Sequence, residues 1–452
     1  MEVYGKQNLW QFIDDEQKNA NLPRVLSLSA QESGSHPQTQ FASPRLSNAS
    51  TTTSYPQWPG SPGTPWTLSP VRTSPNPLLL YHCLASLHRH EGNILSITVS
   101  KDFIFTGSES RRIHVWGLPD CTEMGCIKAG SEKVKAMLGC GRLLFTSHGD
   151  CRIRVWDVSP AENFRARKMA TLPPKNRFFM YPRRAAHQHK DLISCLAYNP
   201  AEKLLYTGSW DGTVKAWGVS ERRCFDSFVA HDGHVNAIAV NQQDGCVFTC
   251  SDDGSVRIWR RVFTGAPHIL TMTLKFQPSP VNALALTLCL DGCFLYSGSS
   301  DGLISFWEKE RMSGRFNHGG ILKGHQFSVL CLEAISDLIL SGSEDATIRV
   351  WRREEGNTLH SCLTVIRGHQ GPVRCLAVSL ESEDPVMRLM VYSASLDQTL
   401  KAWRVKICRE EKGAVSGESG VGGSQMSPVL SPSWVEKRLQ GSHLYEDCKR
   451  KN

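Results

Sequence analysis

Serine, histidine and aspartate recur together along this chain. The three types invite one chemistry: a hydroxyl nucleophile, an imidazole base and a carboxylate that orients it. The sets are His189, Ser209 and Asp211; His231, Ser251 and Asp253; His325, Ser343 and Asp345; and His369, Ser395 and Asp397. In every set the Asp stands six residues before a Trp: Trp217, Trp259, Trp351 or Trp403. A catalytic triad is a singular constellation with its own oxyanion hole, so four copies in one register argue for scaffolding and against hydrolysis. His187-Gln-His189 comes nearest to a metal-ligand pair, but His189 already belongs to a set. No catalytic residue, cofactor or metal is expected.

The elements that must hold these groups form a repeat. Trp116, Trp156, Trp217, Trp259, Trp307, Trp351 and Trp403 each close a stretch made of an apolar strand, a Gly/Ser turn and a second apolar strand. Asp150 and Asp301 keep the six-residue register before Trp156 and Trp307. Most intervals lie near the roughly 40 to 45 residues of a four-stranded unit that cannot bury both faces alone. Asp-Gly between such strands predicts type I′ hairpins. Upstream, Ile94, Val134, Ile193, Val235, Val281, Val329 and Val373 are each followed two residues later by Ser, Ala or Cys. A small residue recurring there fits the crowded inner end of a wedge-shaped blade.

These motifs make residues 78–405 resemble the WD40 β-propeller family. The resemblance implies an all-β fold, a single propeller of seven blades. It also implies that the four sets, each with its Trp, are the family's structural tetrads. Blades one, two and five depart from the pattern. Ser110 replaces the first Asp, Gly130 and Gln277 stand where the second and fifth His would be, and His148 replaces the second Ser. The stretch Tyr-His-Cys-Leu-Ala-Ser-Leu-His-Arg-His-Glu-Gly-Asn-Ile, followed by Phe-Thr-Gly-Ser-Glu-Ser-Arg-Arg-Ile-His-Val-Trp, resembles plant WD40 proteins of the Jingubang type. That resemblance implies a regulatory scaffold in a plant cell.

Closure follows from the chain ends. Leu79 to Leu87 has no repeat before it, and no convincing final strand follows Trp403. The N-terminal strand is therefore predicted to complete the last blade, leaving no open ring edge.

Residues 1–77 are rich in Ser, Thr, Pro and Gln, and 406–452 are charged and Gly-rich; both are expected to be disordered tails. They hold candidate proline-directed phosphorylation sites at Ser43, Ser61, Thr64, Ser69, Ser74, Ser427 and Ser431. Trp58 to Trp66 is a candidate docking motif, and Leu9, Phe12 and Ile13 have the spacing of a short amphipathic helix. No apolar run of membrane-spanning length exists and the start lacks a signal peptide's hydrophobic segment, which points to the cytoplasm or nucleus. The 16 Cys are dispersed with no Cys-x-x-Cys, as free thiols acting as small hydrophobes would be.

The net charge of +8 is concentrated in one place. The connector 158–190, between blades two and three, carries Arg165, Arg167, Lys168, Lys175, Arg177, Arg183, Arg184 and Lys190 against Glu162 alone. With Phe178, Phe179 and Tyr181 it could bind nucleic acid, the alternative to a protein partner.

For specific recognition the resemblance points to the narrow propeller face. Three positions per blade are expected to be exposed there: the third and fifth residues after the His position and the residue before the turn Asp. They give Asn93, Leu95 and Glu109; Lys133 and Lys135; Leu192, Ser194 and Trp210; His234, Asn236 and Asp252; Asn282; Leu330 and Glu344; Arg374 and Leu396. Trp210 is the expected anchor, because no structural role requires Trp there. The resulting expectation is a monomeric, non-catalytic protein-interaction scaffold with regulatory tails. A cullin ubiquitin-ligase substrate receptor is disfavoured, because none of the repeat Trp residues is followed by the Asp-x-Arg usual in such receptors; Trp156-Asp157-Val158-Ser159 comes closest.

Overall fold

Alternation of apolar and polar residues, broken every few positions by Gly, Ser and Asp, leaves the chain only short strands to form. The computed structural model describes residues 72–73 and 79–408, apart from 89–91, 101, 131, 160–163, 175–187, 264, 276–277, 290–291, 355–358 and 383–385. The seven candidate phosphorylation sites, the Trp58–Trp66 segment, the Leu9–Ile13 segment, and Lys175, Arg177, Arg183 and Arg184 lie outside the described residues.

Seven antiparallel sheets follow one another. Blade three shows the plan: Ile193–Asn199 innermost, then Leu204–Ser209, Thr213–Gly218 and, outermost, Arg223–Val229. Blades one and two span 94–128 and 134–172, and blades four to six span 235–274, 281–322 and 329–367. Blade seven is built from both ends of the propeller. Val373–Ser382, Val386–Ser395 and Thr399–Cys408 pair in order, and Leu79–His88 adds the outer strand, with Arg72–Thr73 beyond it. Leu79, Tyr81, Cys83, Ala85 and Leu87 are buried while the residues between them are not, so the strand's period of two seals the ring. The last strand runs to Cys408, three residues past the expected boundary.

The core lies between blades. Each of seven apolar clusters joins two neighbours, and each takes its Trp from the later blade. In the cluster between blades three and four, Trp259 packs with Tyr206, Val214, Ala216 and Val235. Two irregularities recur around the ring. Each outer strand carries a bulge opposite its Trp, as at Phe225 opposite Ala216 and Trp217. The innermost strands carry another bulge, as at Ser194, Asn236, Asn282, Leu330 and Arg374. Gly208 shows how closely blades approach: a Cβ there would lie 2.6 Å from both Cys195 Sγ and Val235 Cγ1 of blade four.

The turns differ from the predicted type I′. Gly212 N donates to Ser209 O at 3.1 Å, which makes Trp210 and Asp211 the central residues, and only Gly212 has positive φ, at 74°. This is a type I turn followed by a left-handed residue. The geometry lets Asp211 Oδ1 accept from Thr213 N at 2.9 Å. Ala346 and Gln398 fill the left-handed position in blades six and seven.

Candidate interaction face

The polar chains under the narrow face run differently from the tetrads expected above. In blade three the Trp217 indole N–H donates to Thr207 Oγ1 at 3.0 Å, and Thr207 Oγ1 meets His189 Nε2 at 2.7 Å. His189 Nδ1 then meets Asp211 at 3.3 Å. The hydroxyl is thus Thr207, and likewise Thr249, Ser341 and Ser393, in place of the expected Ser209, Ser251, Ser343 and Ser395. The register gives the reason. Trp217 pairs opposite Leu205, so Thr207 is its diagonal neighbour on the same face, while Ser209 lies two residues (roughly 7 Å) farther along. Ser209 Oγ instead donates to Asp191 O at 3.0 Å and accepts from Asp211 N at 3.2 Å, pinning the turn. His231 with Asp253, His325 with Asp345 and His369 with Asp397 complete the other three chains at 2.8 to 2.9 Å.

Donor counting fixes the protons: indole N–H to hydroxyl, hydroxyl to Nε2, Nδ1–H to carboxylate. Burial lowers the pKa of His189 and His369 more than their Asp partners raise it, which keeps both rings neutral. Burial acts to raise the Asp211 carboxyl, but hydrogen bonds from His189 and Thr213 outweigh it and hold the group well below the usual carboxylate range. Asp253, Asp345 and Asp397 are held low in the same balance. Thr207 is fully buried, so the hydroxyl that meets the imidazole has no access to a substrate.

Blade two solves the same problem with other residues. His148, from the blade's own second strand, meets Thr146 Oγ1 at 2.8 Å, and Thr146 accepts the Trp156 N–H at 3.0 Å. Asp150, which has no His partner among the described residues, takes both arms of Arg154 at 3.2 and 2.9 Å. Arg154 Nη2 lies 3.2 Å from where a Gly130 side chain would begin, so Gly130 leaves room for the guanidinium. Burial and then the Arg154 charge push His148 down to about 3.

Above these chains, four of the expected face residues form one connected group. Trp210, half-buried at its turn, stacks on His234 with ring centroids 5.1 Å apart and planes at 20°. His234 Nδ1 meets Asp252 at 2.9 Å, and Asn236 Nδ2 donates to Asp252 at 2.6 Å and to Val281 O at 2.9 Å. Trp210 therefore rests on blade four, whose loop is tied in turn to blade five. Leu192 accepts the Trp210 backbone N–H through its carbonyl at 2.9 Å. Lys133 and Glu109 pair at 3.7 Å between blades two and one. Lys135, Glu344 and Leu396 are half-buried, as are Asn93 and Ser194.

The expected exposure fails along one row. Leu95, Asn236, Asn282, Leu330 and Arg374 are all under a tenth exposed. They are bulge residues, and at the same bulge position Ser194, Asn236 and Asn282 bond the carbonyls of Val235, Val281 and Val329 on the next blade. The work of these three is blade-to-blade closure. A residue missed in the sequence is Phe327, 57% exposed between His325 and Val329. Its signal was present: the aligned positions are Gly92, Glu132, Asp191, Gly233, Ser279 and Gly371.

The basic connector is also shorter than expected. Arg165–Leu172 is the outer strand of blade two, so Arg165, Arg167 and Lys168 sit on a sheet edge. Among the described residues no cluster has the makings of a metal site, none of the 14 cysteines whose side chains are described is in a disulfide, and no helix is long and apolar enough to cross a membrane.

Fold and buried chains together define a seven-bladed β-propeller of repeated Trp-closed blades. Residues 81–117, 181–218, 222–260, 269–308, 317–352 and 360–404 match the WD domain, G-beta repeat, and together make up more than half of the chain. The chain belongs to the WD40 repeat family. The unmatched stretch 118–180 holds all four strands of blade two, where the polar chain is rewired. The chain is 25% identical over 255 residues to the human kinesin-like protein KIF21B, covering 53% of this chain and 15% of that protein. It is 32% identical over 138 residues to periodic tryptophan protein 2 of Arabidopsis thaliana, covering 30% and 14%. Nuclear distribution protein PAC1 of Komagataella phaffii is 25% identical over 191 residues, covering 38% and 35%. The chain thus spans between about a seventh and a third of these relatives' lengths. WD40 propellers are typically non-catalytic scaffolds that bind other proteins.

Proposed function

We propose that this protein is a non-catalytic adaptor that binds a protein partner on its narrow face, centred on Trp210. The observation that carries this reading is the stack of Trp210 on His234, itself fixed by Asp252. An aromatic held in place before binding loses little entropy when it becomes an interface anchor. Phe327, Glu344 and Leu396 extend the face, and Asn236 and Asn282 brace it from below. The resemblance to Jingubang-type proteins supports a regulatory role in a plant cell, and the Ser-Pro and Thr-Pro sites of the tails would add negative charge when phosphorylated.

The test is affinity purification from native tissue with wild type, Trp210→Ala, and a connector variant carrying Arg177→Ala, Arg183→Ala and Arg184→Ala. The expected result is protein partners lost with Trp210→Ala alone. RNA or DNA recovered by the wild type and lost only with the connector variant would overturn it in favour of nucleic-acid binding.

A further inference from the structure

A second surface lies away from the narrow face, on the outer rim where blades two and three meet. The outer strand of blade two, Arg165–Leu172, pairs with Ile153–Ser159 on one side, and among the described residues no strand pairs with its other edge. Ala166 packs into the apolar cluster between blades one and two. By strand alternation Arg165 and Arg167 project to the opposite face, toward blade three. Blade three reaches back: Arg222 Nη2 donates to Met169 O at 3.2 Å, which ties the two outer strands together. Arg165, Arg167, Lys168, Arg222 and Arg223 are all exposed, Arg167 by 78% at its side chain. The half-buried Asp157 is shared by Arg142 at 3.3 Å and Arg167 at 3.8 Å, so one carboxylate faces two guanidinium groups. Among the described residues Arg165, Lys168, Arg222 and Arg223 form no ion pair. Met169 and Phe225, the bulge residues of the two strands, add exposed apolar surface between the charges.

We propose that this rim docks an acidic, extended peptide segment of a partner protein. Charge complementarity sets the sign of the occupant, and the free strand edge offers the backbone groups that an extended chain can meet. Blade seven shows the mode within this same molecule: Arg72–Thr73 pairs along the outer edge of Leu79–His88. The bulge at Met169 limits any such pairing to Arg165–Lys168 and leaves the cations to supply the rest. Single-stranded nucleic acid fits less well. Base stacking needs an open aromatic face, and Phe225 carries the Arg223 guanidinium 4.4 Å above its ring while its edge lies against Gly218.

The experiment uses the full-length protein and fluorescence anisotropy with two probes: a short labelled peptide of alternating Glu and Val, and oligothymidylate. The test variant combines Arg165→Glu, Arg167→Glu and Arg222→Glu. The control reverses three exposed cations on other blades, Lys323→Glu, Arg367→Glu and Arg388→Glu, and so matches the change in net charge. The peptide is expected to lose about tenfold in affinity with the rim variant and less than about twofold with the control. A second variant with Gln at the three rim positions separates a lost surface from a lost fold; it is expected to melt like the wild type and to lose about threefold. Equal losses in rim and control variants, rim-dependent binding of oligothymidylate tighter than that of the peptide, or no peptide binding by the wild type each overturns the proposal. None of these outcomes depends on Trp210.

Discussion

Replacing Thr207 with Val keeps the side chain's shape and removes only its hydroxyl. That hydroxyl accepts the Trp217 indole N–H at 3.0 Å and meets His189 Nε2 at 2.7 Å, in a site with no solvent exposure. Val leaves a buried donor and a buried acceptor unsatisfied, each at about 1–3 kcal/mol, so the loss should total roughly 2–6 kcal/mol. Thr207→Ser keeps the hydroxyl and should cost far less, as Ser341 and Ser393 hold the same place in blades six and seven. Ser209→Ala removes only the pin on the turn and should cost about 1–2 kcal/mol. Urea unfolding followed by Trp fluorescence and far-ultraviolet circular dichroism gives all three values. A Thr207→Val protein within about 0.5 kcal/mol of wild type, or a Ser209→Ala cost above that of Thr207→Val, would contradict the assignment of Thr207 as the bridging hydroxyl.

Acid should erode stability in two stages. The folded pKa values of His148, His189 and His369 lie below the unfolded value of 6.5, so below that pH the unfolded chain binds protons that the folded one refuses. Each contributes stability that is full above about pH 6.5 and falls by about 1.4 kcal/mol per pH unit until its folded pKa is reached. The low carboxyls of Asp211, Asp253, Asp345 and Asp397 extend the loss below their unfolded value of 3.8. His148→Gln should flatten the slope between pH 6 and about 4 by up to one proton, measured as urea midpoints against pH; an unchanged slope contradicts the buried neutral ring. Gly208→Ala puts a methyl 2.6 Å from Val235 Cγ1 and Cys195 Sγ and should cost about 1–3 kcal/mol, with Val235→Ala in the same chain recovering part of it; additive costs for the pair would contradict the contact. Deleting residues 78–89 strips the outer strand from blade seven and should lower both solubility and melting temperature; wild-type values in that deletion would contradict ring closure.

The fold was legible because its signals are redundant. Six of the seven repeat Trp residues keep one register with a turn Asp, and the N-terminal strand alternates cleanly enough to be placed in the last blade. The details that escaped share a physical cause: they depend on which face or which edge a residue takes. Thr207 and Ser209 lie two apart on one face of a strand, and composition alone does not say which of the two hydroxyls meets the indole. Asp-Gly reads as a I′ turn until the hydrogen bond from Gly212 N to Ser209 O places Trp210 and Asp211 at its centre. Asn236, Asn282, Leu330 and Arg374 occupy a bulge that breaks alternation, so positions that looked exposed are buried. Arg165, Arg167 and Lys168 look like a loop because a solvent-facing edge strand has a loop's composition. Trp210 stood out by type, but its stacking on His234 is a contact between residues of different blades and appears only once the blades are placed.

The proposed anchoring of a protein partner by Trp210 is read in the dissociation constant of the main partner recovered from native tissue, for wild type and Trp210→Ala, at low and high salt, with melting curves to confirm that both propellers are folded. The prediction is a loss of about 2 kcal/mol or more, roughly thirtyfold, with little dependence on salt. An affinity unchanged by Trp210→Ala, or one that collapses with salt in both proteins alike, would contradict it.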